Sequence, residues 1–95
     1  MPAYAIFDIT VHDPVRYEEY KKLAPPAIAA YGGKYLVRGG DLHVLEGDWA
    51  PSRMVVLEFP TAEQALAWID SPEYCDARAL RHATATTKAI LVEGI

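Results

Sequence analysis

Polar and apolar positions alternate from Ala3 to Val11, with Tyr4, Ile6, Asp8 and Thr10 on one side and Ala5, Phe7, Ile9 and Val11 on the other. That period predicts a strand, and its largely apolar sides predict that both faces are covered. Asp13-Pro14 marks a helix start, the carboxylate as N-cap and the proline where a missing N–H costs nothing. Tyr17, Tyr20, Ala24, Ile28 and Tyr31 then recur at three- and four-residue steps, the apolar face of an amphipathic helix. Pro25-Pro26 lies inside it and removes two ladder donors, so a kink or restart is expected there. Gly32-Gly33 ends the helix, Lys34 to Arg38 reads as a strand, Gly39-Gly40-Asp41 as a break, and Leu42 to Glu46 as a second extended piece. Arg53 to Phe59 is apolar on both sides apart from Arg53 and Glu58, as suits a central strand. Thr61 to Gln64 fits a capping box, and the short helix it opens should bury Ala62, Ala65, Leu66 and Ile69, with Trp68 on its flank. Ser71-Pro72-Glu73 starts a further helix reaching about Ala85, and Thr86 to Glu93 is the final strand.

The order β-α-β-β-α-β, with a ribbon after the second strand and the second helix broken in two, is the ferredoxin-like split βαβ pattern of an α+β fold. Ninety-five residues, 52% apolar and 23% charged, suit one domain over residues 1–95. Right-handed crossovers place both helical connections on the same side of the sheet. The other side then shows either Ile6, Leu36, Met54 and Val56 or Phe7, Val37, Val55 and Leu57, an apolar face in both cases. A symmetric homodimer with two sheets face to face is the expected remedy.

A net charge of −4 with scattered basic residues argues against a nucleic-acid partner, which requires a basic stripe to displace counterions from phosphates. No apolar run is long enough to span a membrane, and the first residues show neither a basic leader nor a cleavage site, so a cytoplasmic location is expected. Cys75 is the only cysteine, which excludes an intrachain disulfide and is expected to be an inert, packed thiol. His12, His43 and His82 have no metal-ligand spacing, and the glycine pairs form neither a dinucleotide fingerprint nor a P-loop, so no metal or cofactor is expected.

The runs YGGKYLVRGG, LEG, RMVVLEFPTAEQALAW, SPEY and LVEG, together with Arg81, resemble the DUF1330 family within the dimeric α/β-barrel superfamily, over nearly the whole chain. The resemblance implies the ferredoxin-like fold and the homodimer. The family is named for unknown function. Its superfamily includes cofactor-free monooxygenases acting on activated aromatic substrates, muconolactone-isomerase-like enzymes, haem-degrading proteins and ligand-binding modules, among which fold alone does not choose.

Each strand offers one polar side chain among apolar neighbours: Asp8, Arg38, Glu58 and Lys88. With Ile6 and Leu36 on the partner-facing side, a period of two brings Asp8 and Arg38 to that side as well, a carboxylate and a guanidinium able to bind an anion or move a proton. Their sharing one layer is the centre of this pocket. Arg81, at a position the family resemblance picks out, suits bidentate capture of a carboxylate, and Tyr31 stands at the rim. His43, close to Asp41, is the candidate acid or base beside Asp8. The expectation is a homodimer binding a small anionic or aromatic metabolite through Tyr31, Arg38 and Arg81, with Asp8 and His43 for cofactor-free proton transfer or oxygenation. The alternative is a non-catalytic ligand-binding or interaction module.

Overall fold

The computed structural model describes residues Met1 to Ile95. Strands β1 (Ala3–Val11), β2 (Lys34–Arg38), β3 (Arg53–Phe59) and β4 (Ala85–Glu93) form one antiparallel sheet in the order β2-β3-β1-β4. Helices α1 (Pro14–Ala30), α2 (Ala62–Ile69) and α3 (Pro72–Thr84) cover one of its faces. Alternation sets the layers: Ala5, Phe7 and Ile9 of β1 and Val55, Leu57 and Phe59 of β3 are buried beneath the helices. Tyr4, Ile6, Asp8, Met54 and Val56, one residue out of step, turn to the open face. No helix is long and apolar enough to cross a membrane.

The caps form as the sequence implies. Asp13 Oδ1 accepts from Arg16 N at 3.1 Å, and Thr61 Oγ1 accepts from Gln64 N at 3.2 Å. The Gln64 side chain bonds twice: Oε1 accepts from Thr61 Oγ1 at 3.2 Å, and Nε2 donates to the Tyr31 carbonyl at 3.1 Å, tying α2 to the end of α1.

Several expectations are corrected. Helix α1 continues through Pro25-Pro26 without a break, because Ala24, Ala27 and Ile28 are held in the core on either side of the prolines. Leu42–Glu46 forms no strand: β3 takes the place beside β2, the outer edge of β2 stays unpaired, and the segment 39–52 leaves the sheet as an irregular excursion between the two strands. Trp68 is central to the core at 1% exposure, with its ring 4.4 Å from that of Tyr74 and 5.3 Å from that of Phe59, whereas Leu66 is 58% exposed. Helix α2 is turned so that Ala65 and Trp68, three residues apart, form its buried edge. Cys75 is exposed, not packed.

The open face keeps Leu36, Ile90 and Val92 exposed. The molecule is a slab of 35 × 32 × 17 Å with 5954 Å² of accessible surface, above the roughly 5,400 Å² usual for a chain of this size.

Candidate functional site

A β-bulge decides which residues can meet. Tyr35 pairs with Leu57, but Val37 pairs with Val56 and Arg38 with Val55, so one extra residue of β2 sits between Tyr35 and Val37. The insertion reverses the alternation for the rest of the strand. Arg38 therefore joins Tyr35 and Val55 on the helix side, its guanidinium 4.7 Å from the Tyr35 ring centroid. Asp8, opposite Met54 and Lys88, faces the other way. The expected Asp8–Arg38 pocket does not exist.

The helix side has a different cluster. Phe7, Tyr17, Tyr20, Tyr35, Arg38 and Arg53 help to line a cavity of about 20 Å³ between the sheet and α1, room for one water molecule. Arg53 shares the parity of Val55, Leu57 and Phe59 and so enters this layer, passing so close to Gly39 that a Cβ there would collide with Arg53 Nη1. Its guanidinium lies 5.7 Å from the Tyr17 ring centroid. Tyr17 Oη and Arg53 Nε are both buried without a well-formed hydrogen bond, although Arg53 stands near enough to act on the Tyr17 hydroxyl; a ligand or water that completes their bonding lowers the free energy. Burial raises the Tyr17 pKa, and the positive charge of Arg53 opposes it only in part.

Arg81 of α3 stands beside this cluster at 4% exposure, close enough for its charge to act on Tyr17 and Tyr20. Its Nε donates to Tyr74 Oη at 3.3 Å, its guanidinium lies 5.4 Å from the Phe7 ring centroid, and the Tyr74 and Tyr20 hydroxyls are 2.6 Å apart. Burial, reinforced by Tyr74, pushes the Tyr20 pKa well up, so this hydroxyl stays protonated. The ion pairs of the molecule are Lys21–Glu18, Lys22–Glu19, Lys34–Glu58 and Arg78–Asp70; none involves Arg38, Arg53 or Arg81. No carboxylate lines the cavity. Such a lining is cationic and carries no carboxylate, which favours a negatively charged group over a cation.

The other candidates lie elsewhere. Asp8 Oδ2 accepts from Trp49 Nε1 at 3.0 Å in an open-face cleft of about 190 Å³ with Ile6, Met54 and Lys88. His43 lies beside Leu42, Val44 and Trp49 in an adjoining open groove of about 540 Å³. Tyr31 donates to Glu73 Oε1 at 2.6 Å, joining α1 to the start of α3 outside the cavity. That bond raises the Tyr31 pKa and lowers that of Glu73. The His82 pKa is lowered by burial, then by Arg81 and Arg78. Of the residues singled out in the sequence, only Arg38 and Arg81 belong to the helix-side cluster. Arg53, Tyr17, Tyr20 and Tyr74 were missed, although the parity of Arg53 with Val55 and Leu57 was a usable signal.

A family model described as a domain of unknown function, DUF1330, matches residues 2–95. No curated protein matches the chain. Among solved structures, the protein of unknown function RPA0582 from Rhodopseudomonas palustris is 18% identical with a TM-score of 0.80, over 99% of this chain and 82% of that one. SnoaB, a cofactor-independent oxygenase from Streptomyces nogalater, is 14% identical with a TM-score of 0.65, over 99% and 93%. A dimeric ferredoxin-like protein of unknown function from Thermobifida fusca is 17% identical with a TM-score of 0.60, over 97% and 90%. At these identities the likeness is one of fold.

Proposed function

The chain belongs to the DUF1330 family, and from its helix-side cavity we propose that it binds a small anionic, aromatic metabolite and acts on it without a cofactor. The observation that carries this reading is the buried pair Tyr17 Oη and Arg53 Nε, neither with a well-formed hydrogen bond, at a cavity free of carboxylates. Arg38 and Arg53 hold the negative charge, Arg81 adds its field from beside the cavity, and Tyr17 donates to the anion. A hydroxyarene held among guanidiniums in a poorly hydrated site loses its proton more readily, since the anion is the form that is stabilised. When the hydroxyarene is the enol form of a ring ketone that carries a CH2, such as an anthrone, its anion, formed by proton loss to water, can react with O2 directly: the ring CH2 becomes C=O and the second oxygen leaves as water. The fold shared with SnoaB, a cofactor-independent oxygenase, supports this class of chemistry. Two copies pair through their open sheet faces, as the fold shared with a dimeric ferredoxin-like protein suggests.

Calorimetric titration with salicylate tests the binding. We expect saturable binding to the wild type, and a loss of at least about tenfold in Arg53→Gln and in Tyr17→Phe, because each removes a donor to the anion. Absence of saturable binding, or binding indifferent to both substitutions, overturns the proposal. Oxygen uptake with an anthrone, insensitive to a chelator, identifies the oxygenase. Solvent deuterium entering the ring position without uptake identifies proton transfer alone. A binding module is the second reading, favoured by one observation: no carboxylate or imidazole lines the cavity to act as a base.

A further inference from the structure

The solvent side of the cavity is closed by an unusual bond. Arg38 Nη2 reaches from β2 to α1 and donates to the backbone carbonyl of Lys21 at 3.0 Å, and both residues border the cavity. In an α-helix the Lys21 carbonyl accepts from the N–H of the residue four positions on. That residue is Pro25, which has none. The proline thus leaves a free acceptor in the middle of a continuous helix, turned toward the cavity mouth, and Arg38 takes it. The bulge in β2 is the second half of the device, since without it Arg38 would face the open side.

Arg38 pairs with no carboxylate, and it is exposed, unlike Arg81. A guanidinium bound to a single neutral carbonyl has a weak partner and four unused N–H groups. An anion brought to the mouth offers a charged, bidentate alternative. We infer that Arg38 is the residue that reads the ligand's anionic group, held in waiting by the Lys21 carbonyl that Pro25 frees, and that it exchanges this carbonyl for the anion as the ligand enters. This rests on the cavity being the binding site. It adds which arginine selects for charge.

The test has two arms. In the ligand-free protein, nitrogen-detected NMR of the guanidinium groups should show slowed rotation of Arg38, released in Pro25→Ala, where the alanine N–H restores the helix bond to the Lys21 carbonyl. A freely rotating Arg38 in the wild type, or one equally restrained in Pro25→Ala, overturns the inference. In the second arm, benzoate and its neutral isostere benzamide are titrated. The wild type should prefer benzoate by about tenfold or more, and Arg38→Gln should lose most of that preference while benzamide affinity changes little. Preference for benzoate surviving in Arg38→Gln overturns this inference and leaves the cavity reading intact. If neither compound binds the wild type, both readings fall.

Discussion

Arg81 shows at residue scale why burial and charge must be read together. A guanidinium at 4% exposure without a counter-ion carries a desolvation cost that one hydroxyl and one ring face offset only in part. Trp68, which shares the ring neighbours Phe7 and Tyr74 with Arg81, carries packing instead. Truncation of Trp68 to alanine removes ring contacts to Phe7, Phe59 and Tyr74 and should destabilise the protein by about 3–5 kcal/mol in urea denaturation. Gly39, at φ +70° against the Arg53 guanidinium, has both backbone and space as reasons to be glycine. Gly39→Ala should cost about 1–3 kcal/mol, and because it displaces Arg53 it should weaken salicylate binding as well, read by the same titration. The sequence pattern alone does not place Trp68, because an eight-residue helix with apolar groups on most sides has no unique buried edge. Only packing against Phe59 and Tyr74 chose one.

At the scale of elements, the capping residues Asp13, Thr61 and Ser71 were legible because a cap is a local hydrogen bond. The bulge in β2 was not, since it depends on register with β3 rather than on Tyr35, Leu36 and Val37 themselves. The same holds for Pro25 and Pro26, whose cost to α1 is offset by Ala24, Ala27 and Ile28 in the core. Tyr31 and Glu73 join α1 to α3, and the bond holds the Glu73 pKa below its ordinary value. Folding then favours the ionised carboxylate, so this contribution is present above pH about 4.5 and is lost as pH falls through the depressed folded value. The thermal midpoint of the wild type should fall on acidification in that window, and Glu73→Gln should flatten part of that fall. Tyr31 has the opposite sense: its pKa is raised, and stability declines as pH rises above about 10.

For the whole molecule, the open face is the decisive surface. Ile90, 64% exposed at its outer strand, sits with Ile6, Met54 and Val56 on a slab only 17 Å thick. A face of 35 by 32 Å is of the order of the 800 Å² per partner that stable interfaces bury. Sedimentation equilibrium should give twice the mass of one chain, and Ile90→Asp should weaken association by about a hundredfold or more, since an unpaired carboxylate would be buried against apolar side chains. An unchanged dimer in Ile90→Asp would move the interface elsewhere.

What the sequence determined by itself was whatever short-range chemistry controls: the order of the four strands and the helices between them, the caps, the central place of β3 and the presence of an apolar open face, all set by periods of two and 3.6 and by prolines and glycines at their ends. The layer to which Arg38 belongs was decided by tertiary structure. One inserted residue in β2 separated Arg38 from Asp8, and one inward arginine on β3 joined it instead. A period of two carries parity only while the register is unbroken, and register is a property of two strands, not of one.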